Sequence, residues 1–379
     1  MKTKVIFAVQ GEGRGHMTQA LSLKQLLDRN GFEVCCVLVG SSERREIPAF
    51  FQEKFPGTEV IRVKSPNFIL KNNRGIRIGK SVMRNLWKLR TYLRSARLLK
   101  EKVKEHAPQL IINFYEPVVA LYCLTNRRTH PPVVSIAHQY LGEHPEFKFP
   151  DGYMMDKYFL KNYTAFTAFG SSRILALSFY PLDDVKNQKL KVVPPLLRRE
   201  AKEIQPTQED FLLCYLVNAG YRSDIESWHA KNPSQELHVF TDMKSDKQVI
   251  EVKPKLFFHK LNDVEFLRHM AACKGLISSA GFESICEAMY LGKPVLMVPV
   301  EGHFEQRCNS RDGFRAGAGI YDDRFDITRF LNWLSERKPG NGDFRTWESK
   351  AEELFLRNFR EVLNKAQKEI QVEGSLASA

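Results

Sequence analysis

The 379-residue chain carries 57 Lys and Arg against 44 Asp and Glu, a net charge of +13. With 43% hydrophobic and 27% charged residues the composition is that of a globular protein, which excludes a disordered chain, and at roughly 100–200 residues per domain the length predicts about two domains. No apolar run approaches the ~18 residues of a membrane span.

The first residues, Met1-Lys2-Thr3-Lys4, lead straight into the apolar run Val5–Val9, with no signal-peptide core. The seven cysteines are an odd number, and none has paired metal-ligand spacing. They are expected to be reduced thiols of a cytoplasmic protein, with no disulfide framework and no metal centre.

Val5–Val9, Val34–Val39, Leu110–Phe114, Val133–Ala137 and Phe166–Phe169 read as buried strands, separated by amphipathic segments such as Thr18–Arg29. This is the rhythm of a parallel sheet covered by helices. It stops at Val192-Val193-Pro194-Pro195, where two prolines forbid a helix interior or a central strand. It restarts with Phe211–Val217, Leu237–Phe240, Lys255–Phe258, Gly275–Ser278 and Val295–Val298. The expected fold is α/β, with two Rossmann-like doubly wound domains. Their predicted extents are 1–195 and 210–345, joined by a linker at 196–209. Helices over 346–370 are expected to pack back toward the N-terminal domain, and 371–379 to fray.

The charge is uneven. Residues 1–195 hold 31 basic and 16 acidic residues, net +15, and the remainder is net −2. Residues 60–104 contain fourteen Lys or Arg and one acid, Glu101. Within them Val82, Leu86, Leu89, Leu93 and Ala96 recur at helical spacing and are expected to face the core. Arg84, Lys88, Arg94 and Arg97 fall off that stripe, near Trp87 and Tyr92. The stretch is either a solvated basic face or a surface that meets anionic lipid or a phosphate-bearing acceptor; nucleic acid is not the expected partner.

Gly11-Glu12-Gly13-Arg14-Gly15-His16 follows the first strand and opens the first helix. Glycines there allow a tight turn and close approach of another molecule. A dinucleotide fingerprint needs a third glycine where this chain has His16, and an acid near the end of the second strand, where none occurs before Glu43. The Gly-Lys-Ser/Thr of a P-loop is absent. NAD and ATP are therefore poor expectations.

The stretch Leu276–Pro299 is the most informative. A strand ends at Ser278, small residues make a tight turn, and a helix begins near Gly281 or Phe282. Gly292 stops it and Pro294 leads into the next strand. Backbone donors at the helix start suit a diphosphate. Glu287, in the second helical turn, suits the two hydroxyls of a ribose. Glu301, Gly302, His303, Gln306 and Asn309 follow on the next loop.

The glycine loop and this unit together resemble the GT-B glycosyltransferases, among them the MurG-like lipid-acceptor transferases of glycosyltransferase family 28 and the related family 1. The opening Gly-Glu-Gly-Arg-Gly-His is closer still to a poorly characterised bacterial and archaeal group of GT-B transferases. The resemblance implies a nucleotide-sugar donor, UDP-sugar being expected, in the C-terminal half. Ala280, Gly281, Phe282, Glu283 and Ser284 would sit at the diphosphate and sugar, Glu287 at the ribose, and Gln306 at the donor sugar or ribose. The loop Phe258-His259-Lys260 would clasp the base, and Asn218-Ala219-Gly220 would border the diphosphate. The acceptor would lie in the N-terminal half against Gly13, Arg14, Gly15, Tyr115, Glu116, His138 and Gln139. Glu12 and Arg14 depart from the residues MurG carries, so different acceptor contacts are expected.

Sugar transfer needs a base for the acceptor hydroxyl and stabilisation of the leaving diphosphate. His16 is the first candidate base, Glu12 the second and His138 the third. No Asp-x-Asp metal signature occurs. Retaining relatives often show two glutamates eight positions apart, and eight before Glu287 stands Ser279. The expectation is an inverting, metal-independent transfer needing no cofactor, with a lipid-linked or glycan acceptor at the inner face of the cytoplasmic membrane. A GT-B UDP-N-acetylglucosamine 2-epimerase and a non-enzymatic binder of anionic membrane or nucleic acid are the alternatives.

Overall fold

The computed structural model describes residues 2–41, 47–66, 70–71, 75–76, 88–127, 129–185, 189–216, 219–243, 245–337 and 343–377. Two seven-stranded sheets organise them. The first contains β1 (Thr3–Gln10), β2 (Phe32–Ser41), β3 (Glu59–Lys64), β6 (Leu110–Phe114), β7 (Val133–Ala137), β8 (Arg173–Leu177) and β9 (Leu190–Val193). A small antiparallel pair, β4 (Leu70–Lys71) and β5 (Gly75–Ile76), lies between β3 and β6 in sequence. The second sheet contains β10 (Phe211–Leu216), β11 (Glu236–Thr241), β12 (Val249–Lys253), β13 (Leu256–Lys260), β14 (Gly275–Ser278), β15 (Val295–Met297) and β16 (Gly319–Tyr321).

The first sheet runs in the order β3-β2-β1-β6-β7-β8-β9 with every pairing parallel. The second runs β12-β13-β11-β10-β14-β15-β16, parallel except for β12 on β13. Central strands such as β6 and β7 are buried at every position, because helices cover both faces of a parallel sheet. Strand order reverses at β1/β6 in one sheet and at β10/β14 in the other. Crevices at such switch points, beyond the carboxyl ends of the strands, are where open α/β sheets bind ligands.

The helix Arg14–Arg29 buries Met17, Ala20, Leu23, Leu26 and Leu27 at helical spacing against the first sheet. The helix Ala351–Ala377 crosses back onto that sheet. Phe359 meets Phe32 edge-on at 6.3 Å, and Arg173 donates to Asn358 and Glu361 at 2.9 Å each.

Several expectations are corrected. Phe166–Phe169 is no strand: Phe166 belongs to the helix Met154–Thr167, and the next strand is β8. Phe258-His259-Lys260 is no loop but the end of β13. The C-terminal helix runs on through Ala377, past the point where fraying was expected. Val82, Arg84, Leu86 and Trp87 lie outside the described residues. In the helix Leu89–His106 the buried face is Tyr92, Ser95, Ala96 and Leu99, while Leu89 is exposed. The stripe is thus turned by about one residue, since Tyr92 packs into the cluster containing Ile6 and Leu38. Arg94 and Arg97 are exposed as expected. Among the described residues no helix is long and apolar enough to cross a membrane.

Candidate active site

The turns that follow β1, β6 and β14 converge where the two sheets face each other. Side-chain bridges join the halves there. Gln19 Nε2 donates to Glu283 Oε1 at 2.5 Å, Gln139 Nε2 donates to Glu305 Oε1 at 3.0 Å, and Arg14 pairs with Asp263 at 3.2 Å. Gly15 packs against the same carboxylate side chain, and a Cβ there would meet Glu283 Cγ at an ordinary contact distance of 3.5 Å.

His16 lies in the first turn of the helix Arg14–Arg29 and is 8% exposed. Its ring stacks on Tyr115 at 5.6 Å, and Nδ1 is 3.1 Å from Gln19 Oε1. Because Glu283 takes the Gln19 amide N–H, the Gln19 oxygen faces His16. The network therefore assigns the proton to Nδ1 and leaves a lone pair on Nε2, toward which Gln139 Nε2 points at 3.5 Å. Burial lowers the His16 pKa, partly offset by the Glu305 charge and the Gln19 hydrogen bond. The imidazole is held neutral and oriented, the state a general base requires.

Tyr115 supports this arrangement at a cost. Its φ is +61°, a left-handed conformation worth about 1–2 kcal/mol of strain for a residue with a Cβ. Its hydroxyl hydrogen-bonds Thr164 Oγ1 at 2.7 Å, and the ring is buried beneath His16. Glu116 caps the helix Pro117–Thr125 by accepting from Val118 N at 3.0 Å, and also accepts from Ser65 Oγ at 2.6 Å. It is fully buried, which lifts its pKa to about 7. Expected at the acceptor, it serves here as a cap. Glu12 is half-buried, and its charge helps to raise the Glu116 carboxyl.

Gly40 is matched to that cap. A Cβ on it would lie 1.8 Å from Glu116 Oε2. Gly40→Ala is expected to push Glu116 off its helix and to lower stability by about 1–3 kcal/mol, read from urea denaturation midpoints at constant slope.

On the opposite side β14 ends in Ser278-Ser279-Ala280-Gly281. Ala280 has φ +58°, and its carbonyl accepts from Asn309 Nδ2 at 3.1 Å. Gly281 opens the helix Phe282–Tyr290 without a side-chain cap. The first amides of that helix are therefore available to an anion. Ser284 Oγ donates to the Gly281 carbonyl at 3.0 Å. The Phe282 ring does not line this turn: it stacks on His138 at 4.0 Å and lies 4.7 Å from Phe179. His138 is part of the same packed interface, donating from Nδ1 to Leu177 O at 2.7 Å, and burial lowers its pKa to about 4.

Glu283, in the first helical turn, is lifted by burial to about 8. Its Oε2 is enclosed with no hydrogen-bond partner among the described residues, so that oxygen is assigned the proton near neutral pH. Glu287 is 4% exposed and engages Arg198 through both oxygens, at 2.5 and 2.9 Å. Each carboxylate oxygen keeps a further lone pair for a hydroxyl donor. Gln306 Oε1 accepts from Val300 N at 2.9 Å.

The side chains of Phe258 and His259 are buried. Arg222 lies over the Phe258 ring at 4.3 Å, and His259 stacks on Phe240 at 4.5 Å. A base clasp at Phe258-His259-Lys260 is expected largely through backbone, and the burial of the Phe258 and His259 side chains leaves only their backbone for that role. Asn218 lies outside the described residues. A cavity of about 1140 Å³ lies elsewhere, lined by Tyr180, Lys293, Arg315 and Lys350, and none of the expected site residues borders it.

Sequence reasoning missed Gln19, Glu305 and Arg198. Gln19 follows His16 by one helical turn and Glu305 directly precedes Gln306, so both had a local signal. Arg198 reaches Glu287 across 89 positions, for which the sequence carries none.

A family model described as glycosyl transferase family 1 matches residues 3–335. Among solved structures, the calicheamicin glycosyltransferase CalG4 is 17% identical, with a TM-score of 0.60 over 99% of this chain and 98% of its own. Arabidopsis thaliana UGT89C1 complexed with quercetin is 14% identical, with a TM-score of 0.61 over 96% and 99%. LpCGTa in complex with UDP is 13% identical, with a TM-score of 0.59 over 96% and 99%. No curated protein sequence matches the chain.

Proposed function

Because the chain belongs to glycosyl transferase family 1 and is a glycosyltransferase of GT-B fold, we propose that it moves a sugar from a UDP-sugar to an acceptor hydroxyl with inversion, without a metal. The observation that carries this reading is the pairing across the crevice of a neutral, oriented His16 with the uncapped start of the helix Phe282–Tyr290.

In the proposed reaction His16 Nε2 takes the acceptor hydroxyl proton. The acceptor oxygen attacks the anomeric carbon from the face opposite the diphosphate. The bond from that carbon to the diphosphate oxygen breaks, and the electron pair leaves with the nucleotide. Amides near Gly281, Phe282, Glu283 and Ser284 would meet the developing charge, the role a metal plays in other transferases. Glu287, positioned by Arg198, would take the ribose hydroxyls. Glu305 and Gln306 would meet the sugar.

For the acceptor we propose a lipid-linked or glycan molecule, as in MurG-like transferases. A patch beside the crevice supports this. Met154 is 82% exposed, Met155 and Tyr158 are also exposed, and Lys157 lies among them. Tyr153 connects the patch to Phe304, which precedes Glu305, at 5.6 Å. An apolar surface bearing lysine suits the interface of an anionic membrane.

The reading is tested by UDP release from UDP-sugars, with and without EDTA, in the presence of membrane extracts. Acceptor-stimulated release that survives EDTA supports it. Release abolished by EDTA and restored by Mg²⁺ or Mn²⁺ but not by Zn²⁺ overturns metal independence, and donor converted to an epimer without acceptor overturns transfer itself. Co-sedimentation with anionic vesicles that falls in Met154→Ser/Met155→Ser supports a membrane-borne acceptor.

A further inference from the structure

A second cluster of titratable groups lies away from the crevice, on a face of the C-terminal sheet. His238 on β11, His259 on β13 and His269 on the helix Asp263–Ala272 bring one ring nitrogen each to within 4.8 Å of one another. From this convergence we infer that the three imidazoles bind a divalent transition-metal ion, with zinc the expected occupant.

The outer nitrogens fix the rings. His238 Nε2 donates to Glu236 Oε1 at 2.9 Å, and His269 Nδ1 donates to the Glu265 carbonyl at 2.7 Å. Each bond places the ring proton outside the cluster, so His238 Nδ1 and His269 Nε2 turn lone pairs inward. Metal-binding histidines are held this way, by a carboxylate or a carbonyl on the far nitrogen. Glu236 thus acts behind the ligands and not as one of them.

The third ring completes the set. His259 Nε2 is 2.8 Å from His238 Nδ1, so the two nitrogens share one proton. A tetrahedral zinc site with bonds of about 2.0–2.1 Å needs ligand nitrogens roughly 3.3 Å apart, so the His238–His259 pair opens slightly and His269 closes in from within 4.8 Å as the ion replaces the shared proton.

The donor set selects the ion. Three imidazoles without thiolate suit zinc, copper(II) or nickel and not the oxygen-preferring magnesium or calcium. The rings sit among Phe211, Phe240 and Phe257, which leaves a fourth position for water at most. The ion would tie the helix Asp263–Ala272 to β11 and β13. That helix begins with Asp263, the partner of Arg14 in the glycine loop, so the ion would stiffen the support of the crevice without entering it.

The test uses the full chain stripped with chelator, then titrated with Zn²⁺ calorimetrically and with Co²⁺ by visible absorption. One equivalent is expected to bind with Kd in the micromolar range or tighter, with the d–d bands of low-coordinate cobalt. His269→Asn, at a half-buried position, removes a ligand and is expected to weaken binding by more than the ~10–100-fold that loss of an outer-shell partner costs, while the far-UV circular dichroism stays unchanged. His259→Gln is expected to do the same and to remove the cobalt bands. Absence of saturable binding to the wild-type chain overturns the inference. So does binding that persists in His269→Asn, or that is lost in His106→Asn, because Cys36, Glu59 and His106 form the other cluster able to hold an ion among the described residues.

Discussion

His16→Ala lowers the rate of sugar transfer by about 10²–10⁴-fold, the ordinary worth of a positioned general base, and leaves the affinity for UDP within about twofold. The split follows from position: His16 stands on the N-terminal half of the crevice, where the acceptor would lie, whereas the diphosphate would meet the start of the helix Phe282–Tyr290. Steady-state kinetics and UDP titration on the same preparation give both quantities. Glu12→Gln, which removes the second candidate base, is expected to cost much less, and a larger loss there would transfer the role.

The pH profile carries the same argument. Burial lowers the His16 pKa beneath its ordinary 6.5, so activity is lost only as pH falls below that value. The opposite limb belongs to Glu283, which is neutral until pH rises through about 8. Once ionised it stands at the helix start where the diphosphate would bind, and like charges there weaken donor binding. Glu283→Gln is expected to keep donor affinity constant above that pH. An acid limb at or above 6.5 contradicts the assignment of His16.

Glu287→Ala destabilises the protein by about 3–5 kcal/mol, because it leaves the Arg198 charge largely buried without its partner. Arg198→Ala is expected to do the same. Replacing both with apolar residues of similar volume restores most of the stability, since a buried ion pair contributes little more than a well-packed hydrophobic pair. Donor binding behaves differently: the double variant folds yet loses UDP affinity, because the ribose has no carboxylate. Denaturation midpoints and UDP titrations of the three variants separate the effects. A double variant that binds UDP like the wild type removes Glu287 from the donor site.

The architecture was legible where the chain is punctuated strongly. Gly275–Ser278, the small-residue turn, Gly292 and Pro294 delimit β14 and its helix almost to the residue. The glycine loop after β1 was legible for the same reason. Phe166–Phe169 misled because an apolar run at the end of an amphipathic helix looks like a short strand when read alone. β12 escaped notice because it is an exposed edge strand with no buried run to announce it.

Within the candidate site, the positions of residues set by their own turn followed from the sequence: His16 opens the first helix and Glu283 stands in the first turn after Gly281. The positions of residues set by packing did not. Phe282 and His138 were expected to touch ligands, and they stack on each other instead, since an aromatic ring beside a domain interface is driven to bury its faces. Phe258 and His259 belong to a buried strand end, where side chains alternate into the core. Arg198 lies in a polar stretch that reads as a linker, and only the folded chain brings it to Glu287.

The most direct test of the account is calorimetric titration of the wild-type chain with UDP, GDP, dTDP and NAD. The account predicts saturable 1:1 binding of UDP, weaker binding of the other two diphosphates, and none of NAD. Failure of every nucleoside diphosphate to bind, or tight binding of NAD in their place, would contradict a nucleotide-sugar site in the C-terminal crevice.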